Sequence, residues 1–313
     1  MMAVQLARGF AAGRRVARPL LAVGRRKQHA GSEVAEMVRM TASCCVVGFE
    51  LRLITPDCDL YYADTNELDA LQSEPWWAFV WPGSFALAEL LQSRPELVRG
   101  KRVLDVASGC GISALAALEA RAAGVVANDI DPWSLRAVQL NLSQVGEAWA
   151  RDAEAQGRLS CCGENLIGSS MVELSEQGVG PVDVILAGDI CYEQPLAGEV
   201  RSWLTSLLSS DSPPVVLLGD PGRAHFVDTF HPHTSDRTAL RKCGLNVQED
   251  FPDGSLSGAL LQEVDRMDEL EIVAIHRSQL SGLIADTSHG LHTATVWELR
   301  LASSADRAAG QPS

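Results

Sequence analysis

Apolar positions in this chain come in short blocks, and their period switches repeatedly between that of a buried strand and that of a helix. Arg102–Val106 is a compact apolar run ending in small residues, and an Ala/Leu segment from about Ile112 to Ala122 follows it at helical spacing. Val125–Asn128 reads as the next strand and Pro132–Asn141 as the next helix. Further on, Val182–Ala187, Val215–Leu218, Ile272–His276 and Thr293–Leu299 read as strands, with an amphipathic helix over Leu196–Leu208. Strand and helix in alternation predict an α/β domain: a parallel sheet with right-handed crossovers and helices on both faces.

This core, 101–300, is preceded by a lead-in, 33–100, where Trp76, Trp77, Phe79 and Trp81 crowd ahead of Pro82 and Gly83. Helical spacing resumes at Phe85, Leu87, Ala88, Leu90 and Leu91, and Pro95 marks its end. The polar, Ala-rich stretch 147–157 reads as a helix extension or an insertion that alters a substrate-choosing surface. Residues 232–270 support no assignment, and 301–313 are expected to form a disordered tail. No internal repeat is visible.

Charge changes the picture mainly at the N-terminus. Residues 1–32 hold six Arg and one Lys, among them Arg8, Arg14, Arg15, Arg18, Arg25 and Arg26, and no acid. This is the composition of a mitochondrial transit peptide, so a matrix location is expected, with a cytoplasmic one as the alternative if the stretch is only a basic tail. Removing those seven residues from the 26 basic ones leaves 19 against 40 acids, so the balance falls from −14 to −21. A surface so acidic repels a nucleic-acid backbone and favours a basic or lysine-bearing protein partner. No run is apolar and long enough to span a bilayer, and a monomer is expected. The eight Cys, with adjacent pairs at Cys44/Cys45 and Cys161/Cys162, lack zinc-knuckle spacing and read as reduced packing thiols. His231 and His233, or His289 and His292, are joined by no ligand pattern, so no metal site is expected.

Chemistry concentrates where strands end. Val103 to Gly111 is a strand running into a small-residue turn before a helix, where Gly109 and Gly111 let backbone amides approach a ligand. The spacing of Gly109, Gly111 and Ala114, with an acid about 20 residues on, also satisfies the dinucleotide fingerprint. Asp105, inside the strand end, favours S-adenosylmethionine instead: a carboxylate there meets a cationic methionyl group but repels a pyrophosphate. In Asn128-Asp129-Ile130-Asp131-Pro132, Asp129 can accept both ribose hydroxyls, and Ile130 is grouped with it as cofactor-binding. Asp131 has the position of a helix N-cap, with Pro132 first in the helix. Asp189 and Tyr192, after a later strand, should face the same crevice, orient an incoming amine and shield the transferring methyl; Asp189 also counts among the cofactor-lining residues.

These segments resemble the seven-strand class I methyltransferases, and the order Asp105 to Gly111, Asp129, then Asp189-x-x-Tyr192 resembles their protein-lysine branch. The stretches LRLITP, WWAFVWPG, RGKRVLDVASGCG, NDIDP, GDICYE, LLGDPGR and TATVWEL resemble the lysine methyltransferases of the electron transfer flavoprotein beta subunit and their bacterial relatives, over most of 51–300. The resemblance implies a Rossmann-like seven-strand sheet, S-adenosylmethionine as cofactor, and that subunit as protein substrate. It also implies that Trp81 and Gly83 line the cofactor pocket, that Asn165 lies near the adenine, and that 219–223 border the substrate channel. Ala107 departs from the pattern, standing where the loop usually has its first glycine, and is carried as a cofactor-binding position.

Competing readings use the same residues differently. A small-molecule amine methyltransferase would share the pocket. An NAD-dependent oxidoreductase would need a proton donor, and no Tyr-x-x-x-Lys arrangement exists among the only lysines, Lys27, Lys101 and Lys242. A non-catalytic assembly factor would have no need of Asp105, Asp129 and Asp189 together.

Overall fold

The computed structural model describes residues 30–63, 75–230, 264–267, 270–286 and 291–302. The transit-peptide stretch up to residue 29, the tail from 303, His231, His233 and His289, and most of 232–270 lie outside them. The first described helix, α1 (Ala30–Met40), starts two residues before the expected end of the basic segment, and a hairpin follows it, β1 (Ala42–Val46) with β2 (Phe49–Leu53). The hairpin was not legible as strands because its outward positions are polar and its inward ones, Phe49, Leu51 and Leu53, are few.

The core then runs α2 (Pro82–Ser93), β3 (Arg102–Val106), α3 (Ile112–Glu119), β4 (Gly124–Asn128), α4 (Pro132–Gln144), α5 (Ala148–Ala155) and β5 (Leu159–Cys162). It continues with α6 (Met171–Glu176), β6 (Val184–Gly188), α7 (Leu196–Leu208), β7 (Val215–Asp220) and α8 (Ala224–Phe230), and closes with β8 (Val264–Met267), β9 (Leu270–Gln279), α9 (Gly282–Asp286) and β10 (Thr293–Leu301). One sheet holds β3 to β10 in the order β5-β4-β3-β6-β7-β10-β9-β8. The Rossmann-like α/β sheet expected from the sequence is present, with two corrections. It is mixed rather than all parallel, because β10 is antiparallel to both β7 and β9, and an eighth strand, β8, extends the edge beyond seven. Alternating strands and helices cannot reveal this: the last strands are joined by segments too short or too irregular to read as crossovers.

Inside the parallel half, side chains divide by the two-residue period of a strand. Val103, Val184, Leu186 and Leu217 enter the core beneath α2 and α3, while Leu104, Ile185, Ala187, Val216 and Leu218 enter the one beneath α7 and α8. Every residue of β6 is buried, as a strand covered on both faces requires. A separate helix, α5, forms within 147–157, rather than an extension of α4. It joins the C-terminus of α4 to the start of β5, at the end of the sheet away from the strands' carboxyl ends, and its Trp149 packs edge-on against Phe49 at 5.9 Å.

The chain leaves β3 toward β4 and β5 on one side, then returns to the other side to form β6 and β7. The carboxyl ends of β3 and β6 therefore flank the switch point where open α/β sheets bind ligands.

Candidate active site

The strand ends on both sides of the switch point carry acids. Reading across the sheet, Asp129 follows β4, Asp105 lies in β3, Asp189 follows β6 and Asp220 ends β7. Four carboxylates at neighbouring strand ends form a rim hostile to anions, and the surroundings of each decide what it can do.

Asp105 is 1% exposed. Its Oδ1 accepts from Ser113 Oγ at 2.7 Å, and its Oδ2 has no hydrogen-bond partner among the described residues. Burial, with a smaller push from the Asp129 charge and against hydrogen bonds from Ser113 and Ser108, raises its pKa to about 7. A buried carboxylate with an open acceptor is costly unless protonated or met by a cation.

The following loop is built on left-handed backbone: Ala107 has φ +54°, Gly109 +53° and Gly111 +84°. Ala107 thus takes a conformation that disfavours a Cβ, which is why glycine is the easier residue there. Gly111 caps α3, and a Cβ on it would lie 2.9 Å from Val138 Cγ2, whereas a Cβ on Gly109 would meet nothing within 4 Å. Gly109 therefore borders open space, which a ligand can use. Buried Asn141 ties the loop down from behind, donating to the Cys110 carbonyl at 2.8 Å and accepting from the Arg52 amide at 2.7 Å.

Asp129 is oriented by the chain itself. The Gly109 amide donates to its Oδ2 at 3.0 Å and the Asp131 amide to its Oδ1 at 2.9 Å, so each oxygen keeps acceptor capacity. Its pKa is raised, chiefly by burial. The capping role read for Asp131 is present, with the Trp133 amide donating to Oδ1 at 2.9 Å. Ile130 is 67% exposed, an apolar side chain held out beside the Asp129 carboxylate. Asn165 is exposed on the loop after β5, and its Oδ1 accepts from the Ile167 amide at 3.2 Å. The neighbouring turn is anchored by Asn128, which donates to the carbonyls of Cys162 and Glu164, both at 2.9 Å.

Across the switch point the same residue type is differently occupied. Asp189 is 8% exposed with φ +56°, and its Oδ2 accepts from the amides of Gly83 at 2.6 Å and Ser84 at 3.0 Å, so it caps α2 from a distant strand. Its Oδ1 accepts from Arg223 Nη1. Gly83 lacks a side chain for a packing reason: a Cβ there would lie 2.1 Å from the Gly219 carbonyl oxygen. Gly188 and Gly219 are equally hemmed in, by Ser84 Oγ at 2.2 Å and the Gly83 carbonyl at 2.3 Å.

Trp81, half-buried, donates from its indole to the Trp76 carbonyl at 3.1 Å and lies 5.8 Å from the Arg223 guanidinium carbon. Tyr192 is 37% exposed, and desolvation, then the charges of Glu193 and Asp129, push its hydroxyl up to about 12, so it stays a neutral phenol.

Sequence reading did not single out Ser113 or Asn141, and it took in Asp220 and Arg223 only as part of 219–223, which the resemblance puts beside the substrate channel. Arg223 and Asp220 lie within the stretch LLGDPGR, but nothing in one sequence says that an arginine will fold back onto a carboxylate 34 residues earlier.

The residues present fit a cationic, hydroxyl-bearing ligand on the β3/β4 side: an orphaned buried acceptor at Asp105, free acceptor capacity at Asp129 and open space at Gly109. A sequence profile of the family described as Ribosomal protein L11 methyltransferase (PrmA) matches residues 87–157, which take in this loop and Asp129. The chain is 40% identical over 182 residues to the electron transfer flavoprotein beta subunit lysine methyltransferase of Xenopus laevis, covering 58% of this chain and 65% of that one. It is 38% identical over 178 residues to the protein of that name in Danio rerio, covering 57% and 61%, and 34% identical over 177 residues to that of Homo sapiens, covering 56% and 60%. The chain thus spans just under two thirds of the length of these relatives, and the resemblance read from the motifs is borne out by them.

Proposed function

We propose that this chain is an S-adenosylmethionine-dependent protein-lysine N-methyltransferase whose substrate is the electron transfer flavoprotein beta subunit. The observation that carries the reading is the unbroken row of carboxylates, Asp129, Asp105, Asp189 and Asp220, at the ends of four adjacent parallel strands. Such a rim repels the pyrophosphate of a dinucleotide and suits a cationic cofactor beside a cationic substrate, which sets the hydride-transfer reading aside.

S-adenosylmethionine, when bound, supplies an electrophilic methyl group on a sulfonium sulfur. Asp105 offers its open Oδ2 toward the methionyl end. Asp129 accepts the ribose hydroxyls on the lone pairs its amide contacts leave free, and Gly109 leaves room for the ligand's close approach. Ile130 and Asn165 flank the adenine, while Trp81 and Ala107 line the pocket and Gly83 holds its wall in place.

On the other side, Asp189 orients the lysine nitrogen and Tyr192 shields the methyl from water. A lysine ammonium in water, which titrates at about pH 10.4, stays charged at neutral pH and must lose its proton before its lone pair can attack. The ammonium's proton would leave to solvent first, and the neutral nitrogen held by Asp189 could then take the methyl group that the cofactor would supply, its bond to sulfur breaking. Positive charge is relocated rather than created, so orientation supplies most of the acceleration. The basic N-terminal segment accords with delivery to the mitochondrial matrix, where this substrate would be met, and the protein acts as a monomer without nucleic acid or membrane.

The test is transfer of tritiated methyl from S-adenosylmethionine to a mitochondrial extract and to the purified beta subunit. A labelled band matching the subunit supports enzyme and substrate together. Label on another protein keeps the reaction and discards the target, and label only on small amines overturns the protein-lysine reading.

A further inference from the structure

Asp189 is the acid best placed to receive a substrate amine, yet both of its oxygens are already engaged. Oδ2 is held by the Gly83 and Ser84 amides, and Oδ1 by the Arg223 guanidinium. The lone pair left on Oδ1 lies beside the Arg223 guanidinium, so a lysine ammonium reaching it would meet a like charge. Asp220 supplies what is missing. Its Oδ1 is pinned by the amides of Gly222 at 2.7 Å and Arg223 at 2.8 Å, so the carboxylate cannot turn away. Its Oδ2 is buried and without a hydrogen-bond partner among the described residues, and it stands 3.6 Å from the same Arg223 Nη1. A shift of under about 1 Å would turn that contact into a charge-assisted hydrogen bond. The group holds two carboxylates and one guanidinium, hence room for one more positive charge. Trp81, fixed through its indole N–H, offers a ring face beside that position.

We propose that Arg223 is a resident stand-in for the substrate's ammonium, and that an incoming primary amine displaces it from Asp189 onto the waiting Oδ2 of Asp220. Arg223 and Asp220 are then positioning residues: they hold Asp189 aligned until an amine arrives and yield it to one alkylammonium at a time. Burial raises the Asp220 pKa to about 7, against the Arg223 charge and with a contribution from Asp189, which accords with a carboxyl that lacks a full counter-ion until Arg223 moves to it. The inference rests on the reading of this site as one that accepts an amine, but not on which protein carries it.

The experiment titrates n-butylammonium into the full-length protein and follows the Trp81 indole and Arg223 side-chain resonances, with no methyl transfer involved. In the wild type both signals should move together, and an Arg223 signal that stays still while Trp81 responds would overturn the exchange. Asp220→Asn, which keeps an acceptor for the turn amides, should weaken binding about ten-fold or more, because Arg223 then has no second charged partner. Asp220→Asn with Arg223→Gln should restore it to within about three-fold, since the competing cation is gone. A double variant as weak as the single, or a single variant as tight as the wild type, would overturn the proposal. A merely structural role makes the double variant worse, not better. If the binding pattern holds but no protein is methylated, the proposed reaction fails and the exchange stands.

Discussion

At the ends of β3 and β4, Asp105 and Asp129 keep acceptor positions open with no cation of the chain paired to them among the described residues, whereas at the ends of β6 and β7 Arg223 bonds Asp189 and stands 3.6 Å from the unbonded Oδ2 of Asp220. The same residue type at equivalent strand ends is therefore prepared for different ligands. One side is preorganised, with a carboxylate already aimed and a glycine facing open space. The other is self-complementary and must be opened by a competing cation. Glycines divide in the same way, since Gly109 borders space while Gly83, Gly188 and Gly219 are locked against backbone or Ser84.

The largest expected effect breaks the closed side. In Gly83→Ala the new methyl would lie 2.1 Å from the Gly219 carbonyl oxygen and 2.7 Å from Asp189 Oδ2, and neither can retreat without shifting α2. A loss of about 3 kcal/mol is expected, read as a melting temperature lower by about 6–12 °C. Gly109→Ala, which meets nothing but takes φ +53°, should cost only about 1 kcal/mol, and equal costs would erase the distinction.

Next in size, Asp129→Ala removes the open acceptors of the β3/β4 side. Two hydrogen bonds to a charged group correspond to about 100-fold in affinity, so calorimetry with S-adenosylhomocysteine should show that weakening with the fold intact.

A smaller effect follows pH. Asp105 and Asp220 are raised from 3.8 to about 7 in the fold, so the folded protein holds protons that the unfolded chain has lost. Their contribution is fully present below about pH 4 and is lost as pH rises through about 7, so thermal stability should fall across that window. Asp105→Asn should flatten part of the slope. Over the same range the ionised Asp105 should increase the preference for cationic S-adenosylmethionine over the uncharged-sulfur homocysteine product. The smallest change expected is Ala107→Gly, which relieves the φ +54° position and should raise the melting temperature by about 2–4 °C.

Much of this was legible because the periodic segments are strongly patterned: β3 and α7 occur where the sequence placed them, at Arg102–Val106 and Leu196–Leu208, and Asp105, Asp129 and Asp189 do gather at one end of the sheet. What stayed hidden depends on distant partners. Asp189 caps a helix that begins more than 100 residues earlier, and Asn141 joins a hairpin, a helix and a loop from inside a run that reads only as helix. Gly83 resembled a pocket residue, and only the crossing of α2 over β7 shows the steric demand for it. Antiparallel β9 and β10 carry the same alternating apolar residues as parallel strands, so direction is not written in their pattern.

The most direct measurement compares Asp189→Asn with the wild type, for binding of S-adenosylmethionine and for methyl transfer to the purified beta subunit. Asparagine can still accept from Gly83 and Ser84 and tolerates the left-handed backbone, so the fold and the β3/β4 side should be kept. Cofactor affinity within about three-fold of wild type, with transfer reduced by about 100-fold or more, is the expected result. Full transfer by Asp189→Asn, or a loss of cofactor binding as deep as that of Asp129→Ala, would contradict the division of labour between the two sides.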